Sequence, residues 1–211
     1  MKLSIIIPYR DRAEHLKVLL KNINDKVKEK FDVLIVEQFN NKPFNRGKLL
    51  NIGFDYKKNN SDYFCFHDVD MIPNEYVDYS YPDNAAIHLA AKVSQFKYEL
   101  PCEEYCGGVN LFTKNDFVKI NGFSNEYWGW GAEDDDLYLR IINSNLKFER
   151  RSCTFESLPH KKNINEENYK KNHNKLNSKY DYTLDGLSNL SYKLIKNEYL
   201  SDFAEKIKVD F

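Results

Sequence analysis

Apolar runs alternate with helix-like patterns along the first third of the chain. Residues 3–8, 31–36 and 63–66 are largely apolar, which predicts three buried strands. Apolar residues recur at helical spacing after the first run, where Asp11 is a candidate N-cap, and again over residues 46–56. Alternating strands and helices predict an α/β fold with a parallel, Rossmann-like sheet, in which ligands bind at the carboxyl ends of the strands.

The second half of the sequence is less regular. Its further predicted elements are strands at 85–91, 108–112 and 206–209 and helices at 114–120 and 134–143. From residue 160 to residue 179 the sequence is polar and rich in Lys and Asn. We therefore expect a long exposed loop or mobile lid over about 156–179 rather than packed structure.

Composition narrows the class of protein. The 211 residues suit one domain, and 42% hydrophobic residues are enough for a core. A net charge of −1 gives no indication of a nucleic-acid partner. The four cysteines have neither zinc-site spacing nor the pattern of a disulfide framework, so free thiols in a reducing compartment are expected. The apolar N-terminal run is too short for a signal or spanning segment, which favours a soluble, cytoplasmic protein.

Charged residues follow two of the predicted strands. Asp68 and Asp70 stand one residue apart at the end of the third strand and form a hard-oxygen site suited to Mn²⁺ or Mg²⁺, which would neutralise a diphosphate. Such a pair also arises by chance in ordinary loops. Arg10, Arg12 and Arg46 lie near strand ends and could hold a diphosphate or a uracil edge. Taken one at a time, each arginine is more typical of an ordinary surface residue.

Four consecutive acids, residues 133–136, follow two indoles separated by glycines at 127–131. Indole faces beside carboxylates suit a sugar, whose ring is apolar and whose hydroxyls need acceptors. Crowding of like charges raises the pKa of some of these carboxyls, which favours a general base. The acids could equally complement the dipole at a helix N-terminus. His160 opens the polar segment and could add a nitrogen ligand to the metal.

Several motifs occur in order between Ile5 and about Asp210. They are Pro8-Tyr9-Arg10-Asp11-Arg12, Phe44-Asn45-Arg46, Phe66-His67-Asp68-Val69-Asp70, Gly107-Gly108-Val109, Ile120-Asn121-Gly122-Phe123, Tyr127-Trp128-Gly129-Trp130-Gly131-Ala132-Glu133-Asp134-Asp135-Asp136 and Asp185-Gly186-Leu187. Together they resemble the β-1,4-galactosyltransferase family, glycosyltransferase family seven. The resemblance implies an inverting hexosyltransferase of the GT-A fold, with a mostly parallel sheet flanked by helices, that uses a UDP-sugar and Mn²⁺, Mg²⁺ also being possible.

The resemblance also implies roles for individual residues. Asp134 would be the general base, and the metal would be held by Asp70 and by His160, which is matched through its distance from Asp185-Gly186-Leu187. The nucleotide site would contain Pro8, Tyr9, Arg10, Arg12, Phe44, Arg46, Asp68 and Val69. The donor and acceptor sugars would meet Tyr105, Gly108, Trp130, Glu133, Asp134 and Asp135. A single catalytic domain, 1–211, would divide into a nucleotide-binding half, 1–70, and a donor-sugar and acceptor half, 71–211.

Three single positions refine this expectation. Tyr105 matches a position that limits the donor in relatives, and a tyrosine there implies UDP-galactose because it crowds the space of an N-acetyl group. Ser157 stands where animal relatives have a methionine metal ligand, which leaves the third protein ligand open. Ala132 replaces a glycine and should be tolerated. The stem, anchor and paired cysteines of the animal enzymes are not seen, which suggests a compact microbial version.

The expected mechanism is one in-line displacement in glycan or surface-polysaccharide synthesis, with the lid closing over the donor. A metal-dependent nucleotide-diphosphate hydrolase would account for Asp68 and Asp70 but not for the indoles, and an inactive sugar- or nucleotide-sugar-binding domain would need a lost base or ligand. The acceptor is open. Lysines in the lid could favour a lipid-linked acceptor at the inner face of a membrane, or could only keep the lid soluble. They are Lys161, Lys162, Lys170, Lys171, Lys175 and Lys179.

Overall fold

The computed structural model describes residues 1–161, 164–178 and 180–211. Its strands are β1 (Leu3–Tyr9), β2 (Phe31–Gln38), β3 (Tyr63–His67), β4 (Met71–Pro73), β5 (Ala85–His88), β6 (Lys92–Val93), β7 (Val109–Thr113), β8 (Lys147–Arg150), β9 (Thr154–Ser157), β10 (Lys193–Tyr199) and β11 (Ala204–Asp210). Its α-helices are α1 (Ala13–Lys26), α2 (Arg46–Lys57), α3 (Lys114–Lys119), α4 (Glu133–Asn143) and α5 (Glu166–Leu176).

Eight strands of the described residues form one sheet in the order β10-β11-β2-β1-β3-β7-β5-β8. Strands β11, β2, β1 and β3 run parallel to their neighbours in that group, as do β5 and β8. Strands β10 and β7 are antiparallel to theirs. The predicted Rossmann-like half, β1-α1-β2-α2-β3, is therefore confirmed, and the antiparallel strands belong to the less regular second half.

The core lies on both faces of this sheet. Ile5 and Ile7 of β1 pack in the cluster on the α1 side, whereas Ile6 packs with α2, because successive side chains of a strand point to opposite faces. Burial on both faces explains why β1 is an almost continuous apolar run. Gly53 of α2 lies so close to β1 that a Cβ atom there would stand 2.2 Å from Ile6.

A second, three-stranded sheet of the described residues joins β4, β9 and β6. Met71, the residue after Asp70, pairs with Ser157 in the antiparallel β4–β9 ladder. The backbone N–H of Leu158 then donates to the carbonyl oxygen of Asp70 at 2.9 Å. This ladder carries the chain from β9 back to the end of β3, which places His160 near the predicted metal carboxylate.

The structure overturns two local predictions. Asp11 does not cap α1: Arg12 occupies the N-cap position with no side-chain cap, and Asp11 adopts a left-handed φ of 52° outside the helix. The segment 160–179 is not a loop without packed structure, because it contains α5, capped by Asn165, with Asn172 buried against the rest of the protein. The prediction was wrong because it rested on polar composition alone. A mostly polar helix can still pack on the protein through a few residues of one face.

Three further points concern the whole chain. The strand predicted at 85–91 ends at His88, and the strands β4, β6, β8, β9 and β10 were not predicted. The four cysteines are free, as expected. No helix among the described residues is both long and apolar enough to cross a membrane.

Candidate active site

Arg46 joins the end of β3 to the start of α4. It is the first residue of α2, whose N-cap Asn45 accepts a hydrogen bond from the backbone of Lys48. Its Nε donates to Asp68 Oδ1 at 2.6 Å and its Nη1 donates to Asp134 Oδ1 at 2.9 Å. The side chain is buried, and its Nη2 has no hydrogen-bond partner among the described residues. One guanidinium therefore ties the predicted nucleotide side to the predicted base.

The carboxyl groups around Arg46 have raised pKa values. Burial raises the pKa of Asp68 to about 7 against the opposing charge of Arg46, with Asp70 and Asp134 adding to the rise. Burial, with the charge of Asp134, raises the pKa of Glu133 to about 8. The expected rise from crowded acids is confirmed at Glu133, although burial is the larger cause. At neutral pH the cluster therefore holds protons as well as negative charge.

The same burial would lower the pKa of the Arg46 guanidinium, but the charges of Asp134 and Asp68 outweigh it and the pKa is raised. Asp135 is more exposed, and burial and Asp134 raise its pKa while His173 opposes the rise. All four acids of residues 133–136 lie in the first turn of α4. This placement confirms that the acids complement the dipole of a helix N-terminus, and the general base stays a prediction.

Gly107 lies between Asp134 and the ring of Tyr105. A Cβ atom at Gly107 would stand 2.8 Å from Asp134 Oδ2 and 2.9 Å from Cε2 of Tyr105, so only glycine fits there without a shift. The Tyr105 ring lies edge-on to His88 and to Phe96, at centroid distances of 5.2 and 5.4 Å. Burial, helped by the charge of Asp134, raises the pKa of Tyr105. The tyrosine therefore faces the acid cluster as a neutral phenol.

Asp70 and His160 lie side by side, with Oδ2 and Nδ1 2.9 Å apart. A carboxylate oxygen and an imidazole nitrogen in contact fit adjacent positions around one Mn²⁺ or Mg²⁺ ion. His15 lies edge-on to His160, with ring centroids 6.4 Å apart. Among the described residues, no group of three or more His, Cys, Asp or Glu is arranged to hold a metal. The pair therefore fits two of the positions around such an ion.

The predicted nucleotide residues lie around the carboxyl end of β1. Pro8 and Tyr9 are buried in the strand, and Val69 is buried after β3. Arg10 donates to the carbonyl of Lys42 at 2.8 Å and places its guanidinium 5.4 Å from the centre of the Phe44 ring. Arg12 is the N-cap residue of α1. Unlike Arg10, Arg46 points into the acid cluster, a placement that the sequence did not predict.

The two remaining residues of the predicted sugar site are Gly108 and Trp130. Gly108, with a φ of 87°, accepts a hydrogen bond from the backbone of Asp68 at 3.0 Å, and a Cβ atom there would meet Ala90 at 3.0 Å. Trp130 is 46% exposed, and its ring is nearly parallel to that of Tyr169 of α5, at 11° and 5.9 Å. The structure therefore brings an exposed indole to the start of α4, as the sequence indicated.

Several residues of this region were missed by sequence reasoning. The consecutive glycines Gly107 and Gly108 could have indicated that the backbone approaches another group closely. They could not have indicated which group that is. His88, which contacts the carbonyl of Gly107 at 2.8 Å, and Cys106, whose thiol donates to the carbonyl of Asp134 at 3.0 Å, carry no local signal. Tyr169 and Asn172 were hidden in a segment taken for a loop. Ala132, at a left-handed φ of 72°, was correctly flagged as standing in a glycine position.

A Rossmann-like half, carboxylates at the end of β3 and an acid–indole cluster at the start of α4 define a GT-A domain. Two family models match the chain: "N-terminal region of glycosyl transferase group 7" over residues 1–81 and "N-terminal domain of galactosyltransferase" over residues 87–164. The chain belongs to the β-1,4-galactosyltransferase family, glycosyltransferase group 7, as its motifs predicted.

Named relatives of the chain support the same family. The chain is 38% identical to β-1,4-galactosyltransferase 5 of Mus musculus over 199 residues, 90% of this chain and 51% of that protein. It is 35% identical to β-1,4-galactosyltransferase 1 of Mus musculus over 207 residues, 92% of this chain and 51% of that protein. The chain thus spans about half the length of these relatives.

Solved structures confirm the GT-A fold. The catalytic domain of Drosophila β1,4-galactosyltransferase 7 in complex with xylobiose aligns with a TM-score of 0.81 and 27% identity, covering 99% of this chain and 93% of that one. A mutant of the same enzyme in complex with manganese, UDP-Gal and xylobiose aligns with a TM-score of 0.83 and 26% identity, with the same coverage.

Proposed function

We propose that this domain is an inverting, Mn²⁺-dependent glycosyltransferase that moves galactose from UDP-galactose to a sugar hydroxyl of a glycan or lipid-linked acceptor. The observation that carries the proposal is the Arg46 bridge, which fixes Asp134 beside the strand end bearing Asp68 and Asp70. The solved relative in complex with manganese, UDP-Gal and xylobiose supports the same chemistry.

Asp134 acts as the general base. Its Oδ1 is held by Arg46, and its Oδ2 lies beside Gly107 and Tyr105, where a Cβ atom would not fit. The carboxylate takes the proton of the acceptor hydroxyl while that oxygen bonds to the anomeric carbon and the bond from that carbon to the UDP oxygen breaks. Attack opposite the leaving group inverts the configuration.

Asp70 and His160 would hold the metal, whose positive charge stabilises the departing diphosphate when it is bound. Glu133, with a pKa of about 8, is largely protonated at neutral pH and can donate a hydrogen bond to a sugar hydroxyl. Water must be kept out, because it competes with the acceptor. We assign that task to the segment 156–179, which contains α5.

Tyr105 supports galactose as the donor sugar. Its ring is fixed between His88 and Phe96 and borders the space beside Asp134 and Gly107. A donor bearing an N-acetyl group would need part of that space. The packing of the ring makes it unable to swing away without disturbing both neighbours.

The test is UDP release from a panel of UDP-sugars with Mn²⁺, with and without GlcNAc, glucose or xylose. We expect acceptor-dependent turnover that is greatest with UDP-galactose, and a fall of about 10²- to 10⁴-fold in Asp134→Asn with UDP binding retained. Asp202→Asn, at an exposed turn, is the matched control. Release of free sugar regardless of acceptor would indicate a hydrolase, and Mn²⁺-dependent UDP binding without turnover would indicate an inactive binding domain; either contradicts the transferase.

We also propose a cytoplasmic location at the inner face of a membrane. The lysines of the segment 156–179 would supply the positive charge that binds a membrane. Two of these charges are neutralised, because Lys171 pairs with Glu167 at 2.6 Å and Lys175 with Asp185 at 3.3 Å. Lys162 and Lys179 lie outside the described residues. Binding to anionic vesicles that weakens with salt supports the proposal, and no binding at low salt contradicts it.

A further inference from the structure

The loop that carries the two indoles, residues 127–132, is contacted by two other parts of the chain. Gly129, Gly131 and Ala132 have left-handed φ values of 79°, 106° and 72°. A segment with three such residues in four positions forms no regular backbone ladder. One external contact comes from the nucleotide side, where the N–H of Gly129 donates to the carbonyl of Phe44 at 2.8 Å.

The second external contact comes from Asn172 of α5. The residue is 4% exposed, and its Nδ2 donates to the carbonyl of Trp128 at 3.2 Å and to that of Gly131 at 3.1 Å. One amide group therefore satisfies both carbonyls that flank Trp130. A primary amide has two N–H donors, and among side chains of this size and shape only asparagine can make both bonds without adding a charge.

Tyr169, nearly one turn earlier on α5, supports the same loop from the side. Its ring lies nearly parallel to the indole of Trp130, and its Cδ2 is 3.2 Å from the position of a Cβ atom at Gly131. His173 packs on Tyr169, with ring centroids 4.3 Å apart, and its Nε2 is 3.6 Å from the same Cβ position at Gly131. Tyr169 thus fills the space between α5 and the indole, so the helix and the loop form one packed unit.

We propose that Asn172 and Tyr169 are positioning residues that fix the indole loop, so that Trp130 and the first turn of α4 face the acceptor together. Ala132 is the N-cap of α4, so the shape of the loop also sets where the helix and Asp134 begin. The inference rests on the proposed function for its kinetic consequence, but not for its structural one. Its consequence is that α5 determines acceptor affinity, whereas the metal is bound by Asp70 and His160 and the nucleotide by residues around the carboxyl end of β1.

The structural test uses tryptophan fluorescence without any substrate. The chain has two tryptophans, Trp128 and Trp130, and both lie in this loop, so the emission reports on it alone. In Asn172→Asp a carboxylate faces two carbonyls with nothing to donate, and we expect a red-shifted emission and stronger quenching by acrylamide. Asn174→Asp makes the same change at an exposed position of the same helix and is expected to match the wild type.

The kinetic test separates positioning from general loss of structure. We expect Asn172→Asp to raise the KM for the acceptor on the order of tenfold, while Mn²⁺-dependent UDP binding stays within about twofold of wild type. Should Asn172→Asp not fold, Tyr169→Ala provides the same test at a half-exposed ring, with Tyr169→Phe, which keeps the ring, restoring wild-type values.

Two outcomes would overturn the inference. One is an unchanged emission spectrum in both Asn172→Asp and Tyr169→Ala, which would mean that the loop keeps its shape without α5. The other is a parallel fall in UDP affinity and acceptor affinity, which would mean that the residues serve overall stability. If the wild-type protein shows no transfer at all, the proposed function fails, and the fluorescence comparison still decides whether α5 fixes the loop.

Discussion

Arg46 holds two carboxylates of the candidate site. Its two bonds reach Asp68 and Asp134, which come from different halves of the chain. Around it, burial raises the pKa of Asp68 to about 7 and that of Glu133 to about 8. At the residue scale, the candidate site therefore combines a carboxylate held by Arg46, the proposed base Asp134, with carboxyl groups that remain partly protonated.

The raised pKa of Glu133 predicts a pH dependence of stability. Between the ordinary value of 4.5 and about 8 the folded state binds more protons than the unfolded state, so this group's contribution to the free energy of unfolding falls as pH rises through that window. Glu133→Gln removes the ionisation, so we expect the variant to gain stability relative to wild type between about pH 5 and about pH 8. Urea unfolding at both pH values measures the difference.

Glu167→Gln is the control for this prediction. Glu167 also lies in the first turn of a helix, but it is exposed and Lys171 lowers its pKa. It should therefore not reproduce the gain. A constant difference between wild type and Glu133→Gln across the pH range would show that Glu133 does not titrate in this window.

Helix α4 is fixed at the element scale by a buried ion network. Arg140 is 1% exposed, and its Nε donates to Asp136 Oδ2 at 2.6 Å on the same helix. Its Nη1 donates to the carbonyls of Asp185 at 2.8 Å and of Gly122 at 3.2 Å. The network ties the helix that bears Asp134 to the Asp185-Gly186-Leu187 segment, which gives that motif a structural role.

We expect Asp136→Asn to destabilise the protein by about 3 kcal/mol, because it leaves the Arg140 charge buried without its main partner. Denaturant unfolding at neutral pH measures the change. Asp135→Asn, the same substitution at the adjacent exposed position, is expected to alter stability by less than about 0.5 kcal/mol. Equal effects of the two variants would mean that the ion pair contributes little beyond its neighbours.

At the scale of the whole molecule, metal and nucleotide binding should act together on stability. If Asp70 and His160 hold the ion as proposed, a diphosphate can supply further oxygen ligands to it. We expect UDP with Mn²⁺, at about 100 times the dissociation constant, to stabilise the fold by about 2.7 kcal/mol, and either alone to give much less. A thermal shift assay measures this as a rise of about 5–10 °C in Tm.

His160→Ala should abolish the Mn²⁺-dependent part of this rise. His173→Ala, which removes a histidine of α5 that contacts Tyr169, is the control and should keep it. Equal shifts with and without Mn²⁺ in the wild type would contradict a metal-dependent donor site.

The sequence by itself determined the first half of the fold and the identity of the chemical groups. Strands β1, β2 and β3 were predictable because burial on both faces requires continuous apolar runs, which leave a local signal. The positions of Asp70 and of the acids of α4 at the ends of elements were also predictable, because they depend only on neighbouring residues. The family followed from the order of the motifs, which the comparisons confirmed.

Only the tertiary structure decided which of these groups meet. The bridge from Arg46 to Asp134 spans 88 positions, and the fit of Gly107 against Asp134 depends on atoms 27 residues away. The antiparallel placement of β7 and the docking of α5 through Asn172 were invisible for the same reason. Local sequence records whether a residue is buried and which conformation it favours. It does not record which distant partner satisfies it, because that choice is made by the packing of the whole chain.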